Sequence, residues 1–194
     1  MARMPYADPA TLGEEARATL ERMPVPLNVF RMMAHAETCF RPLVSLGTAI
    51  LARQKLSGKL RELAILRVAQ LSTARYEWTQ HVPLAQALGA SDEQIAALER
   101  GDLSAPCFDD DERLVLDFTT EVVRDVRPCD ETFERFLGRF SPRELVELVL
   151  ASGYYMMIAR LLETTDVDLE APAGTRMLDA VQRWANAKDG ESES

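Results

Sequence analysis

The stretch from Leu60 to Leu71, LRELAILRVAQL, constrains this chain's fold more than any other, because it is apolar on most of its helical faces. A helix that is apolar nearly all round must be covered by other elements. No strand pattern competes with the helical punctuation along the chain, so helices are expected to cover it. The expected fold class is all-α.

The punctuation sets the remaining helices. Asp8-Pro9 can start one running to about Arg22, with proline in the first turn. Asn28 can cap a long helix through Met32, Met33, His35 and Phe40, with Pro42 kinking or splitting it before it continues to about Lys55. Ser57-Gly58 breaks the chain ahead of the apolar helix, and Ser72 to Arg75 ends it. Tyr76 to Leu88 follows, closed by Gly89, with Pro83 an awkward member. Ser91-Asp92-Glu93-Gln94 is a capping box for a short helix ending at Gly101. Asp110 to Arg124 is amphipathic with an acidic first turn, Asp130 opens a helix to Phe140, and Ser141-Pro142-Arg143-Glu144 opens one to about Glu163. Thr175 to Ala187 reads as a last helix. A single domain over 1–188 and a disordered Glu- and Ser-rich tail over 189–194 are expected. Arg61-Glu62-Leu63 recurs as Arg143-Glu144-Leu145, which fits a duplicated helical unit or coincidence in a helix-rich chain.

Charge narrows the partners. A net charge of −9 argues against nucleic acid and against an anionic membrane surface. No apolar run reads as the roughly 20 residues of a spanning helix, and the N-terminus lacks an apolar signal core, so the expected compartment is the cytoplasm. Cys39, Cys107 and Cys129 are far apart and form no C-x-x-C pair, so they read as reduced, mostly packed thiols. There is no G-x-G-x-x-G, P-loop, H-E-x-x-H or G-x-S-x-G. No metal is expected, since the two histidines cannot make a three-His site and nothing supports one held by Glu62, Glu77 and His81.

The chemistry-bearing residues cluster around the apolar helix. Glu62 lies inside it, where a carboxylate is costly unless paired or hydrogen-bonded. Glu77 and His81 are four apart, so one helical face can present both as proton-transfer groups or as a plain surface pair. Tyr76 and Trp78 can line a pocket or anchor an interface. Arg67 and Arg75 are candidates for a substrate carboxylate. His35, among Met32, Met33 and Phe40, reads as a packed helix residue. Tyr154 and Tyr155 read as core or subunit-contact residues.

Taken together, Pro26-Leu27-Asn28-Val29-Phe30, Met33-Ala34-His35, Arg61-Glu62-Leu63-Ala64-Ile65-Leu66, Glu77-Trp78-Thr79-Gln80-His81 and Gly89 with its capping box resemble the carboxymuconolactone decarboxylase family, which includes the AhpD-type alkylhydroperoxidases. The resemblance implies an AhpD-like all-helical fold and a homo-oligomer, trimer or hexamer. In the peroxidase branch a glutamate precedes a C-x-x-C, and a histidine follows four residues later. Glu62 and His81 match those two, while the cysteine positions fall on Ala74 and Glu77. The resemblance therefore implies the branch without the thiol pair: acid/base chemistry on a small organic acid or lactone, with no cofactor, carried by Glu62, Glu77 and His81. A non-catalytic binding protein and a redox protein using Cys39, Cys107 or Cys129 are the rival readings.

Overall fold

The computed structural model describes residues 1–23, 25–177, 179, 180 and 183. Among them the chain forms helices and no strand, nine of the helices lying between Glu14 and Thr165. The all-α class read from the sequence is the class the chain adopts. Contacts divide it into two compact units, Met1–Arg53 with Leu162–Ser194, and Gln54–Leu161.

The first unit holds α1 (Glu14–Glu21), α2 (Asn28–Met33) and α3 (Glu37–Arg53). The expected start at Asp8-Pro9 is instead a turn, because Asp8 Oδ1 takes the Ala10 N–H and its carbonyl takes Thr11. Such local bonds compete with a helix. The expected long helix splits at Ala34–Ala36, ahead of Pro42, where the carbonyls of Met32 and Met33 close tight turns. Pro42 sits within α3, which continues past it. Asn28 does not cap α2: Leu27 holds the cap position, and the Asn28 amide donates to the Asp168 carbonyl and the Glu170 carboxylate. His35 is exposed rather than packed, with Nε2 2.9 Å from the Pro5 carbonyl. Of the helix expected from Thr175 to Ala187, residues 175–177, 179, 180 and 183 are described and helical. The tail from Asp189 lies outside the described residues.

The second unit is built around α4 (Gly58–Leu71), capped by Ser57 as its sequence indicates. Nine consecutive residues, Arg61 to Ala69, are buried, which is what an all-round apolar helix requires. It packs against α5 (Arg75–Ala87), α6 (Asp92–Arg100) and α7 (Asp110–Asp125). Leu63 and Leu66 join Ala97, Leu98, Phe108 and Leu116 on one side, while Ala64 joins Leu114, Val115, Phe118, Phe136 and Leu148 on another. Burying each large apolar side chain is worth about 1.5–3 kcal/mol. Burying the helix's polar members, Arg61, Glu62 and Arg67, costs several kcal/mol per ion, so each needs a partner.

Capping chemistry places the surrounding helices. Gly89 and Gly101 take positive φ, 99° and 72°, where the sequence puts helix ends. Pro83 is accommodated inside α5. Glu112, buried at the start of α7, receives Lys59 Nζ at 2.6 Å, Gln94 Nε2 at 2.7 Å and the Asp109 N–H at 3.0 Å. That one carboxylate ties the starts of α4, α6 and α7 together.

Helix α8 (Asp130–Leu137) stops before Phe140, because turn bonds from Arg139 and Phe140 to the Phe136 carbonyl end it and let Phe140 stack on Phe136. Helix α9 (Pro142–Thr165) follows, its last turn falling in the first unit. Ser141 and Glu144 cap it reciprocally, so the Arg-Glu-Leu echo does not repeat in role: Glu144 caps, whereas Glu62 is buried mid-helix. By length and composition α9 is apolar enough to cross a membrane, with mean hydropathy 1.5, contrary to the expectation that no segment comes close. Its buried face, Leu148, Ala151, Ser152, Tyr155 and Ala159, is that of a core helix.

Candidate functional site

Residues 72–74, with Thr73 at φ 52°, fold α5 back against α4. This short helix-to-helix turn brings Glu62 and the Glu77–His81 face together. His81 Nδ1 lies 2.7 Å from Glu62 Oε2, and Arg61 Nε donates to Glu62 Oε1 at 3.2 Å. Glu62 is 0% exposed, Arg61 5%, Glu77 2% and His81 9%. The surface-pair reading of Glu77 and His81 is thereby excluded. A buried carboxylate survives when cations and donors surround it, and Glu62 has a guanidinium on one oxygen and an imidazole on the other.

Helix α9 completes the site. The Tyr155 ring meets His81 edge-on, centroids 4.8 Å apart at 85°, and Tyr154 meets Tyr155 at 5.3 Å and 79°. Burial raises the Tyr154 phenol, and the Glu77 carboxylate adds to the rise. Tyr155 is raised further, first by burial, then by Glu62, Tyr154 and Glu77, against an opposing effect of Arg61. Both phenols therefore stay protonated, as donors, through the ordinary pH range. Tyr154 and Tyr155, read from the sequence as packing residues, are parts of this cluster.

Among the described residues neither arginine candidate bonds to this cluster. Arg67 is buried, but its Nε donates to Thr120 Oγ1 at 2.9 Å and its Nη1 to Gln70 at 2.7 Å, toward α7. Burial and then Arg124 hold its guanidinium below the usual value, against Asp117. Arg75 is exposed at the start of α5. Tyr76 is buried beside Glu77 in sequence, and Trp78 packs between Leu63's cluster and Ala69, Ala74 and Ala159. The cysteines are free thiols, but two are exposed rather than packed: Cys39 on α3 and Cys129, whose sulfur caps α8. Cys107 is half-buried against the cluster of Leu63 and Leu98. Among the described residues no group of three or more His, Cys, Asp or Glu is placed to hold a metal ion.

Arg61 was findable in the sequence, since a basic residue beside a carboxylate in a buried helix must have a partner. Tyr155 carried no local signal, because only the packing of α9 brings it to His81.

The comparisons with known proteins bear on the family and the fold. The profile described as "Carboxymuconolactone decarboxylase family" matches residues 38–121, a span holding Glu62, Glu77 and His81. No curated protein matches the chain. A solved structure from Ralstonia eutropha JMP134, described as an alkylhydroperoxidase AhpD core and uncharacterized peroxidase-related protein, superposes with TM-score 0.74 at 18% identity, covering 91% of this chain and 95% of that one. A peroxidase-related protein from Silicibacter sp. TM1040 gives 0.73 at 19% identity over 88% and 92%. A protein of unknown function from Agrobacterium tumefaciens gives 0.63 at 20% over 69% and 91%. Over residues 38–121 the chain is similar to the carboxymuconolactone decarboxylase family, and its fold is AhpD-like, with three scattered cysteines and no C-x-x-C.

Proposed function

We propose that this protein is a peroxidase-related member of the carboxymuconolactone decarboxylase/AhpD-like superfamily that keeps a proton-handling pair and works without a dithiol of its own. The 2.7 Å contact between His81 and Glu62, inside the helix core, carries the reading. An ionised carboxylate only accepts, so Nδ1–H donates to Glu62 and the second ring nitrogen is left to take a proton from a bound molecule or return one. Glu62 orients the ring and stabilises the imidazolium that forms, while Arg61 holds Glu62 in place. Glu77 is the second acid/base group, and Tyr154 and Tyr155 supply hydroxyls. Such general acid–base help is worth about 10²–10⁴-fold in rate. The descriptions of the Ralstonia and Silicibacter neighbours favour a redox setting for this proton chemistry. In it an external dithiol supplies the two electrons and becomes a disulfide, and the hydroperoxide O–O bond breaks to give alcohol and water. His81 takes the thiol proton and returns it to the leaving alkoxide. Turnover by a dithiol of its own is not part of the proposal, because Ala74 and Glu77 stand at the thiol positions.

The family's description favours a second reading, decarboxylation or a related lyase or isomerase step on a small organic acid or lactone. Loss of carbon dioxide leaves an electron pair on carbon, which an adjacent carbonyl or unsaturated group holds until His81 delivers a proton. Both readings place the protein in the cytoplasm, without cofactor. A third reading, binding without turnover, is favoured by the structural sufficiency of the Glu62–Arg61 and Glu62–His81 bonds.

One panel separates the three. Hydroperoxide loss with a dithiol reductant, and 4-carboxymuconolactone loss by absorbance, are measured for the wild type, Glu62→Gln, His81→Ala and a Cys39/Cys107/Cys129→Ser triple variant. Peroxide turnover that survives the cysteine changes but falls at least 100-fold in His81→Ala supports the first reading. Lactone turnover with the same loss supports the second. Turnover of neither, with melting temperatures lowered by the Glu62 and His81 changes, leaves binding. Full turnover by the Glu62 and His81 variants refutes the proton-transfer assignment.

A further inference from the structure

Arg67 is 5% exposed within α4, and its bonded partners among the described residues are both neutral, Thr120 Oγ1 at 2.9 Å and Gln70 Oε1 at 2.7 Å. A guanidinium stays charged at any ordinary pH, so this is a desolvated cation without a bonded anion. Arg124 adds like charge, and Asp117, which acts on Arg67 from the other sign, makes no bond to it. Arg61 in the same helix has the opposite arrangement, with a carboxylate on its Nε.

The donors left over converge. Nη2 and one hydrogen of Nη1 are unbonded among the described residues, and Nη2 is not one of the side-chain atoms sealed from solvent without a partner. Gln70 gives its oxygen to Arg67, which leaves its Nε2 hydrogens as further donors. Both residues border Gly101. A Cβ there would sit 3.2 Å from Gln70 Nε2 and 3.8 Å from Arg67 Nη1. Gly101 closes α6 at φ 72°, where side chains are disfavoured, so the space beside these nitrogens stays open.

We propose that Arg67, Gln70 and Gly101 form a second binding site, which takes the carboxylate group of a small organic acid. The planar guanidinium fork matches two carboxylate oxygens, and the Gln70 amide donates to one of them. One negative charge balances one buried cation. Phosphate would bring a second charge toward Asp117. Glu62 and Arg67 lie about 140° apart around the helix, so this ligand is not the far end of a molecule held at His81. A bound carboxylate gives Arg67 the partner that burial demands, and it ties α4 to the end of α6.

Thermal unfolding of the full chain at neutral pH in sodium acetate, with chloride lowered to hold ionic strength, tests the proposal. The chain's charge of −9 repels anions elsewhere, so the response reads the local site. The wild-type melting temperature should rise saturably with acetate. Arg67→Met should abolish the rise. Arg67→Lys, which keeps the charge and loses the fork, and Gln70→Leu should each weaken apparent affinity about two- to tenfold. Proton–nitrogen NMR of the arginine side chains needs no variant beyond assignment, and acetate should move the Arg67 signals. A flat wild-type response, an equal rise in Arg67→Met, or Arg67 signals that acetate leaves in place would overturn the site. Tighter binding of inorganic phosphate than of acetate would overturn its assignment to a carboxylate.

Discussion

Glu62 and His81 are 19 residues apart in the chain and 2.7 Å apart in space, oxygen to imidazole nitrogen, within the helical core. Arg61 shares the carboxylate from the other side. Removing one partner of such a buried set leaves the others desolvated and unmatched. Glu62→Ala should therefore lower the unfolding free energy by about 3–5 kcal/mol. Glu62→Gln, which keeps the shape and one acceptor, should cost about 1–3 kcal/mol. Urea unfolding monitored by circular dichroism reads both.

Arg61 and Arg67 occupy one helix but differ in what depends on them. Arg61→Met strips Glu62 of its guanidinium and should cost about 3–5 kcal/mol. Arg67 bonds only neutral groups, Thr120 and Gln70, and Met fills similar volume. Arg67→Met should stay within about 1.5 kcal/mol of wild type and leave turnover unchanged. Equal losses in the two variants would contradict this division of the helix.

Glu147 on α9 links pH to stability. Burial alone would raise its carboxyl, but the N–H groups of Leu56 and Lys55 and the Arg143 side chain outweigh burial and hold it below the usual value. A carboxyl lowered in the folded state stabilises at pH above its unfolded value, about 4.3, and that stabilisation is lost as pH falls through the folded value. Glu147→Gln should thus be less stable than wild type at pH 7 by about 1–3 kcal/mol. The gap should close toward pH 3. Paired urea titrations at the two pH values check it.

Tyr154 and Tyr155 act at the alkaline end. Both phenols are raised in the folded state, so their contribution is complete below the unfolded value of about 10 and is lost as pH rises above it. Wild-type stability should fall as pH climbs past about 10. Tyr155→Phe should flatten that fall, and phenolate absorbance should show two tyrosines titrating only on unfolding.

Much of this was legible in the sequence because it is local. The Ser57 cap, the Ser91–Gln94 box, the glycine helix ends and the Ser141–Glu144 start depend on residues three or four apart. The Glu62–His81 pair was legible because a buried carboxylate needs a partner and only a short turn separates its helix from the histidine's. The Glu112 node, the placement of Arg67 and the approach of Tyr155 to His81 depend on helices distant in the chain. No spacing rule encodes such contacts. Cys39 and Cys129 were misread as packed because thiols are usually buried, whereas here one lies on the outside of a helix and one caps another.

The central assignment can be tested without a substrate, because the chain has only two histidines. Proton and nitrogen NMR of imidazole-labelled protein, with His35→Ala to assign the signals, reads the His81 ring directly. A far-downfield Nδ1 proton, slow to exchange with water and moved upfield in Glu62→Gln, is the expected result. Two imidazoles that both exchange rapidly, with His81 unaffected by Glu62→Gln, would contradict the buried proton-transfer pair.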